Sequence, residues 1–263
     1  MKVLVAGGDR VDAGKTTFST GLLDRLGGIG FKPRAGNDYW FDHDNCRRAI
    51  EAGRLYGKDA KRLAAASDGP VEPEEINPVH RLWQPAPRGD EFIGPGDRTF
   101  LLDRAGDHWI VNDGAAVPSS AAEALPLETA RRVGSIDELN DAMAAHALPA
   151  LRELAAWVRE SEPAVIESYG DVARPLEDVA IDRVAVVEPL RTRIYDGQRF
   201  LDACDVAGRS PLDGQLEERV GDVIELLDPV ATVELPPLTA AEREDPAAVA
   251  DAYGAAYDAL LVD

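Results

Sequence analysis

Between Gly7 and Thr17 the chain reads GGDRVDAGKTT, a residue set suited to holding phosphate. Backbone N–H groups of a glycine-rich turn converge on phosphate oxygens, and a helix that starts where the turn ends adds the positive end of its dipole. Gly8, Asp9, Asp12, Ala13, Gly14, Lys15, Thr16 and Thr17 are the expected nucleotide-binding positions. Lys15 would reach the β- and γ-phosphates and Thr16 would ligate Mg²⁺. The usual spacing puts four residues between the first glycine and Gly-Lys-Thr; here five separate Gly8 from Gly14, and Asp9 stands where that glycine would be. The motif points to ATP with Mg²⁺, and GTP is also compatible with it.

Such a turn must be held between regular elements, and its flanks supply them. Val3 to Ala6 is a short apolar strand, and a helix from about Lys15 to Leu26 is stopped by Gly27 and Gly28. A second strand is expected over Gly30 to Pro33, then a polar, aromatic loop, RAGNDYWFDHDN, then one helix from about Asn45 through Ala66. Five prolines between Gly69 and Pro87 predict an irregular loop. Residues 98–113 read as a β-hairpin around the turn RAGD, and Ser135 caps one long helix bent at Pro149. The runs PAVIESYGD and DRVAVVEP read as buried parallel strands, followed by helices near 196–205 and 215–227, a strand from Ala231 to Leu235 and a helix near 246–261. This alternation predicts an α/β fold, a doubly wound and mostly parallel sheet, as a single domain over 1–263 with 88–118 inserted as a hairpin or lid. Glu167 ends a buried strand, so its carboxylate should point into the crevice where such sheets bind ligands. Lys32, after the second strand, could neutralise charge on a transferred phosphoryl group from the side opposite Lys15.

The lengthened glycine turn, with acidic residues inside it, resembles the P-loop enzymes of the dethiobiotin synthetase type and their relatives, the cobyrinic acid a,c-diamide synthases. Four further segments resemble that family in the same order. GFKP at Gly30–Pro33 is similar to its post-helix strand, which implies that Lys32 faces substrate and transferred phosphate. GRLYGKDAKRLAAAS resembles its helix with a magnesium-binding aspartate, here Asp59; INPVHRLWQPAP resembles its substrate loop; and AVIESYGDVARPL resembles the strand that carries a magnesium-binding carboxylate, here Glu167. The resemblance implies Thr16, Asp59 and Glu167 around Mg²⁺, and Lys15 and Lys32 as the catalytic cations. It spans about two thirds of the chain. Ser168 and Tyr169 stand where the family has glycines, the loop after Lys32 is longer, and EPLRTRIYDG replaces a substrate-binding turn, so the family's diamino-acid substrate is not expected. Asn37, Asp38, Asn77, His80 and Ser168 are the candidate substrate contacts, with Arg81 beside His80.

Composition narrows the partners. The 263 residues carry 28 basic and 48 acidic side chains, a formal charge of −20, and the basic residues are 5 Lys against 23 Arg. That balance argues against nucleic acid and anionic membrane, and it suits a cytoplasmic protein built for high salt, where screening removes self-repulsion. Cys46 and Cys204 are too isolated for a disulfide framework or a zinc site, His43, His80, His108 and His146 are scattered, and no apolar run is long enough to span a membrane. The function expected is Mg-ATP-dependent phosphorylation of a small carboxylated or carbamated metabolite, in a synthetase, ligase or small-molecule kinase, with a homodimer compatible with the resemblance. The alternative is a nucleotide-dependent switch or assembly ATPase or GTPase acting on a protein; the KP strand and NP loop favour the enzyme.

Overall fold

The computed structural model of the chain describes residues 1–8, 14–40, 43–85, 98–208 and 218–262. In chain order the elements are β1 (Lys2–Gly7), α1 (Lys15–Leu26), β2 (Ile29–Phe31), β3 (Arg34–Asp38), α2 (His43–Glu51), α3 (Lys58–Ala66), α4 (Pro73–Ile76), β4 (Val79–Pro85), β5 (Arg98–Ala105), β6 (His108–Asn112), α5 (Ser119–Ala124), β7 (Arg131–Val133), α6 (Ile136–Ala142) and α7 (Leu148–Glu160). There follow β8 (Ala164–Glu167), β9 (Arg183–Glu188), β10 (Arg191–Asp196), α8 (Gly197–Ala207), α9 (Val220–Ile224), β11 (Ala231–Glu234), α10 (Ala240–Arg243), α11 (Pro246–Ala252) and α12 (Gly254–Leu261). The protein is α/β with two mixed sheets, and the chain divides into two compact units.

The first unit comprises Met1–Pro33, Arg62–Val71 and Ala155–Asp263. Its sheet has the order β11-β10-β9-β1-β8-β2, in which β9, β1, β8 and β2 run parallel. β10 alone is antiparallel, to both β9 and β11, so the sheet is mixed, with the other five strands running in one direction. The cause is local: only Pro189 and Leu190 separate β9 from β10, and so short a connection can only reverse the chain. The segment EPLRTRIYDG is therefore a hairpin corner and a strand. The apolar centre of β1, Val3 to Ala6, is fully buried, as a strand flanked on both sides by parallel neighbours must be.

Helix α1 spans the expected residues. It begins after Gly14, whose left-handed backbone (φ 86°, ψ 11°) glycine adopts without strain, and it is buried from Thr16 through Leu23. It packs against β1, β8, β2 and α11. The C-terminal helices hold it by specific contacts: Tyr257 donates its hydroxyl proton to the Phe18 carbonyl at 2.9 Å, and the two rings meet edge-on with centroids 4.9 Å apart.

The second unit comprises Arg34–Lys61 and Glu72–Leu154, and it carries a sheet of its own, β3-β4-β5-β6-β7. The hairpin expected over 98–113 is present as β5 and β6, but these strands are interior members of that sheet. The polar stretch after Lys32 is not wholly loop: β3 pairs in parallel with β4, from Arg34 opposite Val79 to Asp38 opposite Trp83. The proline-rich segment, described through Pro85, is not wholly irregular either. Pro73 takes the first position of α4, where its missing N–H is harmless, within a capping box of Glu72 and Glu75, while Pro78 precedes β4 and Pro85 ends it. The single helix expected over 45–66 is split into α2 and α3 by Gly53, at φ 71°, and the extended residues after it. The helix capped by Ser135, whose Oγ accepts the Glu138 N–H at 3.2 Å, runs as α6, a π turn over Met143–Ala147, and α7. Pro149 explains the wide turn, because its ring would strike the carbonyl four residues back. Leu82, Leu101, Leu102 and Val111 form the apolar core with Cys46, Ile50, Leu55, Ala121 and Leu125. Among the described residues no helix is long and apolar enough to cross a membrane.

Gly21 provides a test of how α1 is held. A Cβ there would lie 2.6 Å from both the Val249 Cγ1 and the Tyr257 Oη, and Tyr257 cannot retreat without losing its bond to Phe18. Alanine would gain about 1 kcal/mol of helix propensity, but overpacking costs about 1–3 kcal/mol. Gly21→Ala is therefore expected to lower stability, read as a lower urea midpoint with an unchanged slope; a raised midpoint would contradict this packing.

Candidate functional site

Strand register places the first charged pair. Phe31 lies opposite Ile166, so Lys32, one residue beyond β2, comes alongside Glu167, the last residue of β8. On the other side of β8, Val5 lies opposite Glu167, and the Val5 carbonyl accepts the Ser168 N–H at 3.0 Å. All these strands run parallel, so β1, β8, β9 and β2 deliver their carboxyl ends to one edge of the sheet, where open α/β folds bind ligands.

At that edge Glu167 is wholly buried and Lys32 is 2% exposed. The Lys32 Nζ donates to Glu167 Oε1 at 2.5 Å and to the Ser168 carbonyl at 3.0 Å, and the Thr16 hydroxyl donates to the same Oε1 at 2.8 Å. Thr16 can do so because Gly14 turns the chain into α1 directly beside the strand ends. Lys15, next to it, donates to the Gly170 carbonyl at 2.9 Å, and Gly170 has the positive φ (56°) that its glycine supplies freely. Both lysines thus rest on carbonyls of the segment that leaves β8. Glu167 Oε2 and the Ser168 hydroxyl are buried with no hydrogen-bond partner among the described residues. A buried carboxylate with one oxygen saturated and the other open is costly unless something else binds it.

The start of the glycine turn is fitted as closely. The Gly8 N–H donates to the Val187 carbonyl at 3.0 Å, and a Cβ on residue 8 would lie 2.5 Å from the Glu188 Cγ. Glu188 accepts from Arg191 Nε at 3.0 Å and Arg193 Nε at 2.9 Å. Burial works against its charge, but the two guanidiniums prevail and hold it below the usual carboxylate range. Thr17 is buried in α1. Asp9, Asp12 and Ala13 lie outside the described residues.

The other expected site residues belong to the second unit. Asn77 and His80 are fully buried, with Asn77 Oδ1 2.9 Å from His80 Nδ1 and Asn77 Nδ2 donating to the Val79 carbonyl at 3.0 Å. Asn37 approaches the same place, where Gly57 allows close contact: a Cβ on residue 57 would be 2.9 Å from Asn37 Oδ1 and 3.1 Å from His80 Cε1. Asp38 Oδ1 accepts the Trp40 N–H at 2.8 Å, and Asp59 sits in the first turn of α3. Arg81 forms a forked pair with Asp103, at 2.7 and 2.5 Å, and lies over the Trp83 and Phe100 rings. Asn77 and His80 are thus both engaged by groups of their own unit.

No family model, curated protein or solved structure matches this chain. The site is therefore judged on its own chemistry. Among the described residues no three His, Cys, Asp or Glu side chains gather to hold a metal. Thr16 and Glu167 nevertheless form a hydroxyl–carboxylate pair with one buried oxygen to spare, a donor set suited to Mg²⁺, which takes one or two carboxylates and completes its shell with phosphate oxygens and water. Sequence reasoning found Lys15, Thr16, Lys32, Glu167 and Ser168, which the structure brings together in the first unit. It missed Gly170, whose carbonyl holds Lys15, and Glu188, which sits against Gly8. Gly170 was visible in the sequence as the one glycine left in ESYGD.

The buried pair yields a prediction. Lys32→Met or Glu167→Leu alone leaves the partner unbalanced, and each is expected to cost about 3–5 kcal/mol of stability. The double variant Lys32→Met/Glu167→Leu should recover most of that loss. Denaturant unfolding of the four proteins measures the coupling, and additive losses would show that the two charges do not depend on each other.

Proposed function

We propose that the chain is a P-loop enzyme that binds Mg-ATP in its first unit and transfers the γ-phosphoryl group to a carboxylate or carbamate of a small metabolite. The observation that carries this reading is the convergence of Thr16 and Lys32 on Glu167, at the carboxyl ends of parallel strands and beside the start of α1. A helix-start hydroxyl bonded to an acidic strand end is the arrangement by which phosphate-binding loops hold their cation. Mg²⁺, held by Thr16 and Glu167 with the β- and γ-phosphates, would supply electrostatic stabilisation of the charge that builds on the transferred group.

The chain's own groups have separate tasks. The backbone amides of the first turn of α1, after Gly14, would meet the phosphates. Lys15 exchanges the Gly170 carbonyl for β- and γ-phosphate oxygens, a stronger, charge-assisted partner. Lys32, held in its buried pair, places its charge on the side of the transferred group. An oxygen of the acceptor carboxylate forms the new bond to phosphorus as the bond to the β–γ bridging oxygen breaks. ADP leaves with that electron pair, and the product is an acyl phosphate ready for attack by an amine or ammonia. No proton moves in this step, so both lysines act as fixed cations. A pair of lysines around the phosphoryl group supports transfer to an anionic acceptor, because the acceptor's charge must also be neutralised as it approaches.

ATP and GTP turnover with Mg²⁺, in concentrated KCl and with fractionated metabolites, tests the proposal. Lys15→Ala is expected to lower turnover about 10²–10³-fold, and Lys32→Ala to remove the stimulation by metabolites while basal hydrolysis falls less. Glu167→Gln should raise the Mg²⁺ concentration needed far more than it weakens nucleotide binding. Undiminished turnover in Lys15→Ala, or metabolite stimulation that survives the loss of Lys32, would defeat the proposal.

A further inference from the structure

The segment Ser168–Asp171, which leaves β8 at the candidate site, holds three cations. Lys32 rests on the Ser168 carbonyl, Lys15 on the Gly170 carbonyl, and the Arg219 Nη1 on the Asp171 carboxylate. The sequence reading absorbed the two lysines; Arg219 has no role in it. Its position is nevertheless fixed by backbone bonds. Residues Val172 and Arg219 form an antiparallel bridge, flanked by Val220 N–H to the Asp171 carbonyl and Ala173 N–H to the Glu218 carbonyl, each at 2.8 Å. From there the side chain turns back along the segment to Asp171, the residue after the one on which Lys15 rests.

We propose that Arg219 is a catalytic residue of this site, an arginine supplied by the same chain that leaves Asp171 and takes the oxygens of the transferred phosphoryl group. The inference rests on the nucleotide-binding reading above. Arg219 and Asp171 are only part-buried, with side chains 34% and 18% exposed, so their ion pair is screened and contributes little. A phosphoryl group in transfer spreads charge over three oxygens that match the planar guanidinium fork, which makes it the better partner. Asp171 then serves to park the arginine, and its place next to Gly170 couples the two moves: the carbonyl that Lys15 leaves and the carboxylate that Arg219 leaves are on consecutive residues. Arg219 completes a set in which Lys15 and Lys32 contribute point charges and the arginine contributes the fork.

The test compares wild type, Arg219→Ala and Arg219→Lys for ATP turnover, for affinity of a fluorescent ADP, and for the tightening of ADP by aluminium fluoride, which mimics the group in transfer. Arg219→Ala is expected to lower kcat about 10³-fold, to leave ADP affinity within about twofold, and to abolish the aluminium fluoride effect. Added guanidinium ion should restore part of its turnover, which a purely structural arginine would not permit. Arg219→Lys, which keeps the charge and the fold but not the fork, should lose about 10- to 100-fold. Turnover of Arg219→Ala within about threefold of wild type, or parallel loss of turnover and ADP affinity with no guanidinium rescue, would overturn the role of Arg219 alone. A wild-type protein that binds neither ATP nor GTP with Mg²⁺ would overturn the nucleotide reading and Arg219 with it.

Discussion

A carboxylate buried at the end of a strand sets the terms for the rest of the first unit. Taking the Glu167 and Lys32 charges out of water costs several kcal/mol per ion, and the pair persists only because Lys32 and Thr16 arrive within 2.8 Å of one oxygen. That demand fixes the register of β8 against both neighbours. A slip of one residue would turn Ile166 toward the lysine and send Glu167 to the opposite face. It also fixes where α1 begins, since Thr16 lies in its first turn and Gly14 must take a left-handed backbone to put it there. The helices that clamp α1 through Tyr257 and Val249 hold the same constraint from the far end of the sequence.

The parts of this arrangement that can be read in the sequence are those whose signals are local. β1, α1, β8 and β9 announce themselves as short apolar runs, and the limits of α1 are marked by Gly14 before it and Gly27 after it. Glu167 and Lys32 follow because each sits just where an apolar run ends. The second unit was hidden because its signals are contextual. β3 is a short polar strand that makes sense only beside β4, with Gly36 giving room to Trp83, and β4 reads as a loop because Pro78 precedes it and Pro85 is its last residue. The pairing of Asp171 with Arg219 spans 48 residues, and no spacing rule reaches so far.

Residue type alone says little about contacts in the same region. Asn77 and His80 are candidate substrate contacts by the resemblance of their loop, and the structure shows what else they bond. Turns that leave strands must satisfy carbonyls, and here the buried Arg104 does so, donating to Leu55 at 2.9 Å and to Asn77 at 2.6 Å. Burial lowers its pKa to about 10, so it remains charged near neutrality while serving as an internal clasp. Asn77 and His80 belong to that clasp by their bonds to each other and to Val79.

What separates a structural buried charge from a working one is how its valences are filled. Asp103, within β5, and Glu167, at the end of β8, are both fully buried carboxylates. Asp103 receives the two arms of one guanidinium, one on each oxygen, and is complete. Glu167 receives a lysine and a threonine on the same oxygen, while its second oxygen is buried and has no partner among the described residues. An arrangement selected for stability alone would divide the donors between the oxygens, since an unfilled buried acceptor costs about 1–3 kcal/mol. Proteins keep such local violations where function needs them. The open oxygen of Glu167, beside a hydroxyl that begins a helix and two lysines resting on carbonyls, is the feature on which the proposed chemistry of this sheet edge rests.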